Sequence, residues 1–291
     1  MPAPVLTAAG LTKDYGTFRA LDALDLSVAP GEVVGLLGPN GSGKSTALRL
    51  MLGFLRPTAG RAAVAGFDCW TQSVQARRNV AYLPGELRLY ETMTGRRLVR
   101  FLAGLRGDTP GPEVDALAKK LDIDIDRPLT HMSSGMKRKV ALLTVLVPNV
   151  PLIVLDEPTN TLDPTMRDEL LEQLRAAKAR GQAVLFSSHV LHEVEAVCDR
   201  VAVLRRGQLV HVQDMADLRG GRAVSAALTG PAPAVGPDGA ALPTDAVADG
   251  RLSLTYRGPL PALLDWLARQ PLTDLRVEPQ GLGPVYRRFH G

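Results

Sequence analysis

The stretch that most limits what this chain can become is Val33–Thr46, VVGLLGPNGSGKST. Four apolar residues (Val33, Val34, Leu36 and Leu37) run into Gly38, Pro39, Asn40, Gly41, Ser42, Gly43, Lys44 and Ser45, an octet that fits G-x-x-x-x-G-K-[ST]. Thr46–Leu52 behind it reads as a helix. A buried strand, a glycine-rich loop and a helix N-terminus in this order build an anion site. Glycines let backbone N–H groups approach phosphate oxygens, and the helix dipole favours negative charge there. Lys44 reaches toward β- and γ-phosphates, and the Ser45 hydroxyl is placed to hold Mg²⁺. The chain therefore reads as a binder of a nucleoside triphosphate, with Gly38–Thr46 as its candidate contacts.

A second stretch supplies acids. Leu152–Leu155 is apolar and leads directly into Asp156-Glu157-Pro158-Thr159. That pattern fits a buried strand presenting carboxylates at its C-terminal end, where ligands sit in a doubly wound sheet. Asp156 is placed to support a Mg²⁺ shell, and Glu157 to orient or deprotonate an attacking water. Gln182–Phe186 reads as another strand and ends in Ser187-Ser188-His189, so His189 can face a γ-phosphate. Tyr15, in KDYG, is either a turn aromatic or a ring that stacks on adenine. The cluster His131–Arg138, ahead of a helix read at Val140–Val147, is a second potential anion site, because N–H groups are free at a helix start.

The remaining pattern is α/β. Strands are expected at Val5–Thr12, Ala20–Val28, Arg61–Ala65, Val80–Leu83, Val201–Leu204, Gln208–Val212, Arg251–Tyr256 and Leu272–Val277. Helices are expected at Thr94–Arg106, Glu113–Leu121, Pro164–Ala179, Leu260–Ala268 and Pro284–Phe289. On the first of these, Leu98, Phe101, Leu102 and Leu105 share a face, bordered by Arg96, Arg97, Arg100 and Arg106. Ala226–Gly250, rich in Ala, Pro, Gly and Asp, reads as a loop or linker. The expected division is 1–219 and 220–291.

Composition adds bounds. With 291 residues and 45% hydrophobic content the chain supports a large domain plus a small one. A net charge of +4 suits nucleic acid or an anionic membrane surface and decides neither. Two cysteines, Cys69 and Cys198, lack metal spacing and fit a reducing compartment. MPAPVLTAAG carries no leader pattern. The apolar stretch Val140–Leu155 is interrupted by Pro148, Asn149 and Pro151, so a membrane span is a poor reading.

These motifs, in this order, resemble the nucleotide-binding subunit of an ATP-binding cassette (ABC) transporter over roughly residues 4–215. KDYG, GPNGSGKST, MSSGMKRK, LIVLDEPTNTLDP and SSHVLHEVEAVCDRVAVLRRG carry the resemblance. It implies a P-loop NTPase ABC ATPase core with a β-subdomain and a helical subdomain, and a small α+β C-terminal module. It also implies ATP and Mg²⁺ as ligands, with Tyr15 at the adenine. Glu157 is then the base, His189 the γ-phosphate sensor and Asp163 an acid of the loop after the base. Two copies would stack head to tail, with Ser133 and Gly135 of one touching the ATP of the other. A membrane-spanning permease is the implied partner, nucleic acid is not expected, and the implied location is the cytoplasmic face of the cell membrane. YLPGELRLYETMTGRRLVRFLAGLRG and the VYRRFHG tail resemble the ABC-2 type export subfamily.

The chain departs from that pattern twice. Gly85 stands where the family has a glutamine, so either the adjacent Glu86 takes over the link to Mg²⁺ and the membrane partner or that link is looser. In the signature, Ser134 replaces a glycine and Met136 the glutamine. A soluble ABC ATPase acting on nucleic acid or ribosomes is the alternative. The single cassette and the absence of an aromatic-basic stripe count against it.

Overall fold

The computed structural model describes residues 3–243 and 246–290. Met1, Pro2, Thr244, Asp245 and Gly291, which fall in stretches read above, lie outside the described residues. The chain divides into two compact units, Met1–Val212 and Gln213–Gly291, where the sequence reading drew the line at 219/220.

The first unit opens with β1 (Leu6–Tyr15) and β2 (Phe18–Val28), a hairpin, and then β3 (Val33–Leu37) runs into α1 (Lys44–Met51). β4 (Ala59–Val64), β5 (Phe67–Asp68), α2 (Ser73–Arg78) and β6 (Val80–Leu83) follow. Three helices come next: α3 (Gly95–Arg106), α4 (Glu113–Lys120) and α5 (Ser134–Leu146). The unit closes with β7 (Leu152–Asp156), α6 (Pro164–Ala179), β8 (Ala183–Ser188), α7 (Leu191–Val197), β9 (Arg200–Arg205) and β10 (Gln208–Asp214), the last running across the boundary.

Two sheets result. One is antiparallel in the order β2-β1-β4-β5; the other runs β10-β9-β3-β8-β7-β6. From β9 to β6 every pairing is parallel. All residues of β3, β7 and β8 are buried, as strands covered on both faces require. α1 packs on β1, β2 and β4 and also touches β7, so its apolar residues Leu48, Leu50 and Met51 join the two sheets into one core. α3 packs on α5 around Leu98, Leu129, Met132 and Val140, and α4 packs on α5 as well.

The second unit contains α8 (Met215–Arg219), β11 (Arg222–Leu228), β12 (Val247–Ala248), β13 (Arg251–Tyr256), α9 (Leu260–Leu267), β14 (Leu272–Pro279) and α10 (Gly283–His290). Its antiparallel sheet has the order β12-β13-β11-β14, and Val224, Tyr256, Leu263 and Leu267 fill its core.

Three expectations are corrected. The expected linker from Ala226 begins inside β11, a central strand paired to both β13 and β14. Its sequence, RAVSAAL, has too few β-branched or aromatic residues to announce a strand, and its two neighbours supply the pairing. The expected apolar face of α3 splits. Leu98 is buried with Val99 and Ala103, whereas Phe101 is 40% and Leu105 70% exposed. Finally, α5 begins at Ser134 rather than Val140, because the Ser133 hydroxyl caps it by accepting from the Met136 N–H at 3.3 Å.

Cys69 lies in the core of the first unit, 2% exposed, and burial pushes its thiol up from the ordinary 9.0 to about 12. The unfolded thiol ionises first, so its contribution to stability is full below about pH 9 and is lost as pH rises toward about 12. At pH 8, Cys69 should alkylate at least about 100-fold more slowly in the native protein than in urea, as mass spectrometry of the labelled peptide would read. Equal rates would mean that the thiol is accessible.

Candidate active site

The sheet register assembles the site. β3 and β7 flank β8, with Leu37 beside Ser188 and Asp156 beside Ser187. The C-terminal ends of the three strands therefore stop at one level. The glycine loop, Asp156-Glu157 and Ser188-His189 leave the sheet side by side, although long stretches of chain separate them.

After β3 the chain turns tightly through Gly41 and Gly43, at φ +80° and +105°. At Gly43 a Cβ would lie 2.9 Å from the Ala20 carbonyl oxygen, so only glycine fits. Lys44, the first residue of α1, folds back so that Nζ donates to Gly38 O at 2.6 Å and Pro39 O at 3.2 Å. A cavity of about 320 Å³ opens here, lined by Tyr15, Asn40, Gly41, Ser42, Gly43, Lys44, Ser45, Thr46 and Glu157. Phe18 and Ala20 line it too. Nothing in the sequence pattern singled out these two; the β1–β2 pairing sets Phe18 opposite Tyr15. The Lys13 ammonium lies 5.1 Å from the centre of the Tyr15 ring.

The two carboxylates have different surroundings. Asp156 is 4% exposed, and its Oδ1 accepts from the Ser187 hydroxyl at 2.6 Å. Burial, with the Asp156 charge adding to it, pushes the nearby Tyr82 phenol up to about 12. Glu157 has φ +47°, a left-handed conformation that costs a non-glycine residue about 1 kcal/mol or more. Its N–H meets Ser187 Oγ at 3.0 Å. Its side chain bridges two other predicted residues: Oε2 lies 2.8 Å from His189 Nδ1 and Oε1 3.4 Å from Lys44 Nζ. Lys44, Glu157 and His189 thus form one chain of contacts at the mouth of the cavity.

Behind them sits Glu193, fully buried on α7. Its Oε2 accepts from Thr159 Oγ1 and from Ser188 Oγ, both at 3.0 Å, tying the loop after Glu157 to the residue before His189. By charge alone Glu193 looks like a solvated helix residue; only the meeting of the two loops buries it.

The other predicted residues lie elsewhere. Ser133 caps α5, and Asp163 caps α6 by accepting from the Met166 N–H at 3.0 Å. A Cβ on Gly135 would lie 3.2 Å from Thr161 O, so the signature packs beside the loop that follows Glu157. Ser133, Gly135 and Asp163 do not line the cavity that holds Lys44. Glu86 is exposed and also outside that lining, whereas Gly85 sits over Asp156, where a Cβ would be 3.5 Å from Oδ2.

The cavity suits a triphosphate. Its loop offers free amides at the start of α1, a lysine with only carbonyls and one carboxylate around it, and a buried Ser42 Oγ with no partner among the described residues. For Mg²⁺ the available donors are the Ser45 hydroxyl and Asp156. No group of three or more His, Cys, Asp or Glu side chains that could hold a metal exists among the described residues, so phosphate oxygens would have to complete any shell.

A family model described as "ABC transporter" matches residues 21–160. The chain is 36% identical over 217 residues to Nod factor export ATP-binding protein I of Rhizobium meliloti, covering 72% of this chain and 64% of that one. It thus spans less than two thirds of that relative. It is 30% identical to the linearmycin resistance ATP-binding protein LnrL of Bacillus subtilis, covering 74% of this chain and 70% of the relative. A solved ATP-binding subunit of an ABC transporter superposes with a TM-score of 0.69 at 30% identity, covering 74% of this chain and 92% of the other.

Lys44→Ala removes the only ammonium that lines the cavity among the described residues and should weaken binding of a fluorescent ATP analogue by at least about 100-fold while leaving the urea melt cooperative. A wild-type dissociation constant would overturn the phosphate-loop assignment.

Proposed function

Since this chain belongs to the ABC transporter family, we propose that it is the ATP-hydrolysing subunit that powers transport, in the export direction, through a separate membrane-spanning permease. The observation that carries this reading is the placement of Glu157 between His189 and Lys44 at the mouth of the phosphate loop.

In this mechanism the loop amides and Lys44 hold the β- and γ-phosphates, and Tyr15 and Phe18 flank the base. Ser45 and Asp156 would hold Mg²⁺, which when bound would supply Lewis-acid charge neutralisation on the phosphate oxygens. Glu157 orients a water and takes its proton as that water attacks the γ-phosphorus. His189 holds the Glu157 carboxylate through Nδ1 and reports the γ-phosphate to the chain around it. Ser187 and Asp156 fix the strand ends, so the base needs no rearrangement at the moment of reaction.

Two copies acting head to tail complete the reading. In one chain Ser133 and Gly135 lie outside the cavity, which suits residues that serve the ATP of a second copy. The closed dimer then forms only when triphosphate is bound, and hydrolysis releases it, a population shift set by contacts unique to the closed state. The permease docks on the side of the helical layer where Tyr90 and Phe101 stack edge to face at 5.6 Å and Leu105 stands in solvent, with Arg97 and Arg100 beside them. No helix among the described residues is long and apolar enough to cross a membrane. The subunit works from the cytoplasmic face of the membrane. Names of relatives that mention Nod factor export and linearmycin resistance support export as the direction.

Glu157→Gln should retain ATP binding, lower phosphate release by at least about 100-fold and accumulate a dimer visible by light scattering. Unchanged turnover would remove Glu157 from the role of base. Capture of this variant from native membranes with ATP should bring a polytopic membrane protein; recovery of soluble proteins alone would sink the transport reading.

A further inference from the structure

Arg138 is a charged residue in the interior, 3% exposed, with no ion-pair partner among the described residues. Its guanidinium instead meets backbone carbonyls on every side. Nε donates to Pro158 O at 3.1 Å. Nη1 donates to Pro84 O at 3.2 Å and Gly85 O at 2.9 Å. Nη2 donates to Asp156 O at 3.3 Å and to Glu157 O. A guanidinium has five N–H donors in a fixed plane, and here five carbonyls take them. They come from two places: the end of β6, where Gly85 replaces the glutamine, and the end of β7, where Glu157 holds its left-handed turn.

Arg138 itself rides on α5, five residues beyond the Ser133 cap, or about 7.5 Å along the helix. We infer that Arg138 is the positioning residue that couples the signature helix to the catalytic base, through the carbonyls of the two strand ends that its guanidinium joins. The base is strained and its carbonyl is held by Arg138, so a shift of α5 moves the frame of Glu157 directly. The same guanidinium grips the Pro84-Gly85 segment, so the loop after β6 moves with it. Engagement of Ser133 by a second copy's ATP would thereby reach the base without any side chain from position 85. Glu86 is exposed and outside the cavity, so it is not needed for this link.

The inference rests on the reading of this chain as a hydrolysing dimer, and one experiment separates the two. Wild type, Arg138→Lys and Arg138→Gln are compared as full chains, with urea melts as the check on folding. Lysine keeps the charge but presents its donors from one atom, so it cannot span carbonyls on two strand ends. The dissociation constant for a fluorescent ATP analogue should stay within about 3-fold of wild type, because Arg138 does not line the cavity, while kcat falls at least about 30-fold in both variants. Ser133→Ala should lower kcat in the wild-type background and change it by less than about 2-fold in the Arg138→Lys background, since the link it drives is already cut.

A purely structural arginine predicts otherwise: affinity and kcat fall together, and the Ser133 and Arg138 losses multiply. Either that pattern or wild-type kcat in Arg138→Lys overturns the inference. Where neither variant melts cooperatively, amide exchange in the Glu157→Gln chain decides. ATP should protect residues 84–86 and 156–159 together, and Ser133→Ala should remove both protections; indifference of those segments to Ser133 is the refuting result. Absence of ATP turnover by the wild type defeats the functional reading itself, and this inference with it.

Discussion

Everything at this site depends on three buried parallel strands ending at the same height. β8 lies between β3 and β7, and hydrogen-bond register alone sets Ser188 beside Leu37 and Ser187 beside Asp156. A parallel pair cannot slip by one residue without turning its side chains to the opposite face. Both faces here are packed, so the register is held by the whole core, and with it the relative placement of Lys44, Glu157 and His189.

Glu157 is held from several directions at once. Its backbone is in a conformation that an L-residue avoids, so something must hold it there. Ser187 holds the N–H, Arg138 the carbonyl, and Glu193 anchors the segment two residues later through Thr159. Buried charges are costly unless their polar atoms are answered: the Arg138 donors all find carbonyls, whereas Glu193 accepts two hydroxyls at Oε2 and leaves Oε1 with no partner among the described residues. Burial pushes the Arg138 pKa down from its ordinary value, while Asp156 and Glu157 push it back up. Each of these charges has become a joint between segments distant in sequence.

The phosphate loop, Asp156-Glu157 and His189 were legible because each motif sits where a run of apolar residues stops, and that pattern survives without an alignment. Val80–Leu83, Pro164–Ala179 and Arg251–Tyr256 were read with the bounds they have, since strong periodicity and a Pro start leave little choice. β11 was invisible because alanine and serine carry no strand signal. The start of α5 was missed because glycine in its first turn masks a serine cap. On α3, four apolar residues on one face look equivalent, yet only packing against α5 decides which of them lose their water.

Local order of strand, loop and helix was enough, from the residues alone, to show an anion site with carboxylates following a second buried strand. Tertiary structure alone decided which charges are buried beside it. Arg138 and Glu193 carry the same signature as any surface residue, and their roles exist only because two strand ends and two loops bring carbonyls and hydroxyls within reach. A hydrogen-bond partner is a property of place, and place in the interior is set by strands that sequence proximity does not connect.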